Sequence, residues 1–200
     1  MRVSGTGFAR LRGPHDTYAL LLNKGRLTRD GDRILSPIGG GFDLLPGGKQ
    51  YLEKLGAEHF EGHDHNELRC QVPDAQIPRV IAWFERRHQR ETTVWRELME
   101  ELVEETGILT LSGLRDGYVE RYACGRRHEA RTTRNVPNKQ TTYLMEIFDV
   151  GVSPNTLRTL WTASQRPIER RWMYFVTADE IASGRTKDGV KIGQISQFVL

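Results

Sequence analysis

Carboxylates are concentrated in residues 96–109, RELMEELVEETGIL, where five glutamates fall within a few helical turns: Glu97, Glu100, Glu101, Glu104 and Glu105. At about 100° per residue, an α-helix carries these side chains on one face. The opposite face is apolar and can pack on a core; its members are Trp95, Leu98, Met99 and Leu102. A solvated acidic face is one interpretation. Like charges four positions apart destabilise a helix, however, whereas Mg²⁺ binds clustered oxygen ligands. The stretch therefore predicts a divalent-metal site.

The elements around this helix predict one α+β domain over residues 1–200. Strands are expected over residues 17–27, 33–38, 68–72, 117–124 and 141–150, and before the Thr177 cap of a last short helix that stops at Gly184. Helices are expected around residues 49–56, over residues 74–88 with Asp74 as cap, and from Thr92 or Thr93 to Gly107. Residues 153–165 read as a loop. Most of the strands are expected to be antiparallel.

Composition limits the class of protein. The 200 residues are 38% hydrophobic and 28% charged, which is typical of a globular chain. No apolar run reaches the roughly 20 residues of a membrane span, and the N-terminus has no secretory apolar region. Two cysteines, Cys70 and Cys124, are expected to be reduced thiols in a cytoplasmic protein. A net charge of +3 gives no strong nucleic-acid signal.

Basic and aromatic residues follow the acidic helix. Arginines 121, 126, 127, 131 and 134 lie in this region, and the first four can clamp phosphates through bidentate hydrogen bonds: Arg121, Arg126, Arg127 and Arg131. A solvated basic loop is the alternative. Tyr118 and Tyr122 are candidates for stacking on a base. Base stacking is also open to Trp83, Phe84, Trp172 and Tyr174, but core packing is expected for most of them. An exposed loop is expected for the His63-Asp64-His65 triplet.

The acidic helix resembles the signature of the Nudix hydrolases, G-x5-E-x7-R-E-U-x-E-E-x-G-U, in which U is a bulky aliphatic residue. Residues 101–108, ELVEETGI, match its second half without a gap. The segment SPIGGGFDL resembles the Pro-Gly-Gly segment that precedes the signature, and WMYFVTADEI resembles the end of many Nudix domains. The resemblance implies an α/β/α sandwich with a mixed sheet, a Mg²⁺ or Mn²⁺ cofactor, and cleavage of a nucleoside diphosphate linked to another group.

Departures from the signature point to one branch. Glu100 stands at the arginine position, Arg86 at the leading glycine, and Thr92 at the leading glutamate, with Glu91 one residue away. An insertion of about residues 44–90, carrying a predicted strand and helix, replaces a short loop. This pattern resembles the SMODS-associated Nudix branch, with its P-I-G-G segment, its Trp-Phe helix and its repeated acidic phrase. The branch implies a gene neighbourhood with second-messenger nucleotidyltransferases in bacterial antiviral defence.

Two registers can place the metal. The first, Arg96-Glu97-x-x-Glu100-Glu101, keeps the arginine that orients the first glutamate in the family. The second uses Glu101, Glu104 and Glu105 and keeps the spacing to Gly107; it is the preferred one here. By resemblance, Glu101, Glu104 and Glu105 are catalytic, and all five glutamates are metal ligands. Glu101 belongs to both registers.

The predicted function is a metal-dependent pyrophosphohydrolase. Gly39, Gly40 and Gly41 would let the backbone approach metal or phosphate closely. The alternative is a catalytically weak or inactive module that binds a nucleotide, which the missing arginine favours. A third interpretation makes the insertion a protein-interaction surface that forms a homodimer. The expected ligand is a nucleotide or a nucleotide-derived small molecule.

Overall fold

A computed structural model describes residues 1–25, 27, 31–132 and 139–200, with residues 63, 131, 132 and 139 described by backbone only. Eight strands are present: β1 (Arg2–Gly13), β2 (Thr17–Leu22), β3 (Ile34–Gly41), β4 (Arg69–Gln71), β5 (Val119–Thr132), β6 (Lys139–Gly151), β7 (Met173–Val176) and β8 (Lys191–Ile192). The helices are α1 (Pro46–Lys54), α2 (Ile77–Glu85), α3 (Trp95–Leu98), α4 (Leu111–Arg115), α5 (Pro154–Ser164) and α6 (Ala178–Ser183). Helix α3 continues as a π-helix over Met99–Glu105, and we call Trp95–Glu105 the acidic helix.

The strands form one mixed sheet in the order β5-β6-β1-β2-β3-β8, with β4 also paired to β1 and β7 to β2. Most strand pairs in the described part of the chain are antiparallel, such as β2 with β7, where Ala19 faces Phe175. Strand β8 is parallel to β3. Together with the helices, this sheet confirms the predicted α+β fold class, including the strand β4 and helix α2 expected within the insertion.

The chain divides into two compact units, and the expectation of one domain stays a prediction. The first unit comprises residues 1–7, 40–93 and 123–146. Its interior holds Phe42, Leu52 and Leu68, all almost fully buried. An arginine lies in the same interior: the Arg90 guanidinium is 3.9 Å from the ring centre of Phe84 and binds Glu146 at 2.6 Å. A buried charge of this kind requires such a partner.

The second unit comprises residues 8–39, 94–122 and 147–200. Leu20 and Leu35 of the central strands are fully buried, as are Leu98 and Leu102 of the acidic helix. The predicted apolar face of that helix is thus part of a core. Helix α6 begins with a capping box, in which Thr177 and Glu180 bond each other's backbone N–H, and it ends at Gly184 with a φ of 73°. Both signals were read correctly from the sequence.

Two helix predictions outside the acidic helix were wrong. Residues 153–165 are not a loop, because Ser153 caps α5 by accepting a bond from the Thr156 N–H, and Pro154 follows at the first helical position. Helix α2 begins at Ile77 rather than at a cap by Asp74, whose carboxylate binds the amino group of Met1 at 2.8 Å. Strand β1 was not among the predicted strands, the first of which was expected to begin at residue 17.

Candidate functional site

The first turn of the acidic helix is held by the strand β5. The helix begins at Trp95 with Val94 as its N-cap, and not at Thr92 or Thr93. Val94 donates its N–H to a carboxylate oxygen of Glu120 at 3.3 Å. The Tyr118 hydroxyl donates to the same oxygen, and its ring lies edge-on to Trp95 with 4.7 Å between ring centres. A carboxylate at a helix N-terminus satisfies a backbone donor and suits the helix dipole.

The second half of the helix has a wider turn than the α-helix assumed from the sequence. Met99–Glu105 is π-helical, with bonds from each residue to the fifth one along instead of the fourth. The Thr106 hydroxyl donates to the carbonyl of Glu101 at 2.7 Å, and the Leu109 N–H donates to the carbonyl of Leu102 at 3.0 Å. The layout at about 100° per residue therefore holds only for the first turn.

Glu101 is the central carboxylate of the site. Gly39, whose φ of 145° is open mainly to glycine, donates its N–H to Glu101 Oε2 at 3.1 Å. The pKa of Glu101 is raised well above its ordinary value by burial first, then by the charge of Glu97, and further by Glu105 and Glu100; the Gly39 bond opposes this shift. Negative charge is therefore crowded around a partly buried acid, and the Gly39 N–H offsets part of that charge by its hydrogen bond.

Arg96 orders the first copy of the acidic phrase. Its guanidinium is 2.8 Å from Glu97 and 3.0 Å from Glu100. Glu97 is 9% exposed, so this carboxylate is held inside the protein and not on a solvated face. Arg96 therefore contacts both glutamates that belong only to the first register. Glu104, which belongs only to the second register, is exposed.

A cavity of about 530 Å³ opens beside the helix. Its lining combines residues 21–25, at the end of β2, with Glu101, Glu105, Thr106 and Trp172. The Lys24 ammonium is 3.9 Å from Glu105 Oε2, and both side chains are about half exposed. This volume falls within the range of small-molecule sites. The cavity brings together an acidic wall, one cation and one indole.

Two of these cavity residues were not placed beside the acidic helix from the sequence. For Trp172 core packing was preferred to base stacking, but the residue is partly exposed and lines the cavity. Lys24 lies directly after β2 in the Asn-Lys-Gly segment, which is the one local signal that could have marked it. Neither residue has a spacing to the acidic helix that a linear reading could detect.

The described residues fit a metal ion in part. Among them, no group of three or more His, Cys, Asp or Glu side chains is gathered closely enough to hold an ion. Glu101 and Glu105, however, line one cavity, and Mg²⁺ commonly takes one or two carboxylates together with water and phosphate oxygens. The all-oxygen donor set also suits a hard cation. Glu101 and Glu105 can thus hold Mg²⁺ or Mn²⁺.

The remaining predicted site residues are dispersed. Arg121 lines a different cavity, which shares no lining residue with the acidic one. Arg127 pairs with Glu129, and Tyr122 packs edge-on to Phe148, 6.0 Å between ring centres, with about half of its surface exposed. Arg126, Gly40 and Gly41 belong to the first unit, outside the unit of the acidic helix. Arg134 and the Arg131 side chain lie outside the described residues, as does the His63 side chain.

Comparison with known proteins identifies a family for the chain. A family model described as the SMODS-associated NUDIX domain matches residues 1–200. No curated protein matches the chain. None of the helices that the structure describes has the length and apolarity to cross a membrane.

Proposed function

Because the chain belongs to the SMODS-associated NUDIX family, we propose that it is a hydrolase that cleaves the phosphoanhydride bond of a nucleotide-derived substrate with Mg²⁺ or Mn²⁺. The observation that carries the proposal is the environment of Glu101. This acid is crowded by Glu97, Glu100 and Glu105, and it lines a cavity large enough for a small molecule. A helix that gained nothing from such crowding would lose stability by it.

In this proposal the carboxylates of Glu101 and Glu105 hold the cation. When bound, Mg²⁺ neutralises charge on a diphosphate and helps to activate water. Glu97 and Glu100, oriented by Arg96, complete the negative surface behind Glu101. The two cation ligands proposed here therefore belong to the second register, while Glu97 and Glu100 of the first register pair with Arg96 beside them. Glu104 is kept as a candidate general base because its exposed carboxylate can accept a proton.

The other cavity residues bind the substrate. Lys24, 3.9 Å from Glu105, would contact a phosphate oxygen and offset its charge. Trp172 offers an indole for stacking on a base, which is worth about 1–3 kcal/mol when a base stacks on an aromatic side chain. A substrate with both a diphosphate and a base would use all three parts of the cavity. A product of a bacterial second-messenger system fits this description.

The test is turnover of nucleoside diphosphate derivatives with Mg²⁺ and with Mn²⁺. We expect release of product by the wild-type protein and its loss in Glu101→Gln. The matched control is Glu53→Gln, the same change at an exposed glutamate of α1. Glu97→Gln and Glu105→Gln compare the registers: a harmless Glu97 change would defeat the first register. Turnover by Glu101→Gln at the wild-type rate would refute the proposal.

A second candidate function is a binding module that does not cleave its ligand. It is favoured by Glu100, which occupies the arginine position of the second register and adds negative charge next to Glu101. Calorimetry with the same ligands separates the two functions. Tight, saturable binding with no product under either metal would support the module and exclude the hydrolase.

A further inference from the structure

A second cavity, of about 540 Å³, lies among the ends of β1, β5 and β6 and the start of α5. Three arginines line it: Arg10, Arg12 and Arg121. Its apolar surface includes Leu157 and Val119, the latter with half of its surface exposed. An apolar side chain left this open beside guanidinium groups is typical of a site for an amphipathic anion.

The charges in this cavity do not cancel. Asp149 binds Arg10 through two contacts of 2.6 and 3.0 Å, and this hydrogen bond, with the charges of Arg10 and Arg12, keeps the pKa of Asp149 below its usual value. That pair is therefore neutral as a unit. Arg12 is 57% exposed and lies 3.6 Å from Asp16, which is 86% exposed, and such a contact is worth little in water. Arg12 and Arg121 thus supply positive charge that the cavity's one carboxylate does not balance.

The Arg10–Asp149 pair also fixes the geometry of the wall. Bidentate arginine–carboxylate contacts hold both side chains in one orientation. The adjoining Arg12 and Arg121 come from two different strands, β1 and β5, and the apolar surface lies beside them. Guanidinium groups recognise phosphate oxygens through parallel N–H donors. A ligand here would place phosphate on the arginines and a flat or apolar group on Val119 and Leu157.

We propose that this cavity is a second nucleotide-binding site, which holds a nucleoside phosphate through Arg12 and Arg121 without a metal ion. It shares no lining residue with the acidic cavity, so a ligand can occupy it independently of hydrolysis. This proposal can therefore be tested independently of the proposed function.

The test is isothermal titration of the full chain with AMP in EDTA, which removes divalent metal from the acidic cavity. We expect saturable binding of one AMP, with adenosine and inorganic phosphate each binding more weakly. Arg121→Glu should weaken AMP binding at least tenfold, because charge-assisted hydrogen bonds are lost. Arg121→Gln should weaken it less, and it keeps the test valid if the charge reversal disturbs folding.

The control is Arg158→Glu, an equal charge change at an exposed arginine next to Leu157 on α5 that does not line the cavity. It should leave AMP affinity within twofold of wild type. Equal weakening by this control would mean diffuse electrostatic attraction and would overturn the proposal. Absence of saturable AMP binding in EDTA, or its loss in Glu101→Gln, would overturn it as well.

Discussion

Arg90 is a buried cation whose removal should destabilise the protein strongly. Its side chain is 0% exposed and binds Glu146, which is 3% exposed, at 2.6 Å. The guanidinium also donates to the carbonyls of Phe84 at 2.8 Å and Glu91 at 2.7 Å. Arg90→Met keeps an apolar side chain next to the rings of Phe42 and Phe84. It leaves the Glu146 carboxylate and the two carbonyls without their donor. Breaking a buried pair costs about 3–5 kcal/mol.

We expect the lower part of this range, because Arg87 still lies 3.2 Å from Glu146 and can offset part of its charge. At about 2–4 °C per kcal/mol for a chain of this size, a cost of about 3–4 kcal/mol should lower the melting temperature by about 6–16 °C. The measurements are thermal and urea unfolding. Arg79→Met, at an exposed arginine of α2, is the matched control and should change the unfolding free energy by less than about 0.5 kcal/mol.

A double-mutant cycle with Glu146→Gln tests the physical cause. If the cost comes from an uncompensated buried carboxylate, the two changes together should cost about 1–3 kcal/mol less than the sum of the single changes. Additive effects, or a loss below about 1 kcal/mol for Arg90→Met alone, would refute the reasoning.

The remaining predictions concern the site and one helix. Glu101→Gln should raise the stability of the metal-free protein at neutral pH, because the raised pKa of Glu101 means that the folded state favours its protonated form. In the wild type this preference stabilises the folded state fully below the unfolded-state pKa of about 4.3. The stabilisation is lost as the pH rises through the folded-state pKa of Glu101. The difference in urea unfolding midpoint between the variant and the wild type should grow from acid to neutral pH. A difference that does not depend on pH would contradict this prediction. Gly39→Ala forces a side chain onto a φ of 145° and should cost about 1–3 kcal/mol in thermal unfolding. Thr177→Ala removes one half of the α6 capping box and should cost about 0.5–2 kcal/mol, and an unchanged melting temperature would argue against the box.

Features with local signals were predictable from the sequence. The Thr177 cap and the Gly184 stop are encoded within a few residues, and so is the strand that runs into Gly39. Ser153 followed by Pro154 carried an equally local signal for α5 that had been overlooked. In each of these cases the residues that determine the element lie inside it or next to it.

Strand β1 shows why other parts could not be predicted. Its first eight residues are all buried, so both faces are covered and the alternation of a half-exposed strand is absent. Gly5 packs so closely on Leu68 that a side chain at this position would overlap it. Alternating polar and apolar residues indicate which face of a strand is exposed to water. The first eight residues of β1 have no exposed face, so this pattern is absent.

The site itself was predictable only along the acidic helix. The spacing of Glu101 and its neighbours predicted the acidic part of the site. Lys24 and Trp172 line the same cavity, but they lie far from the acidic helix in the sequence. The π-turn was also hidden, because no residue in Met99–Glu105 breaks an α-helix. Tertiary packing decides both features, and a single sequence does not record it.

The bond between Val94 and Glu120 has a consequence for the order of folding. The donor and acceptor are 26 residues apart, so the acidic helix receives its first-turn partner from a strand made later in synthesis. A short helix with repelling charges and no local cap is marginal in water. The carboxylates should therefore come together only after β5 has left the ribosome and joined the sheet, so the acidic cavity should form late in folding.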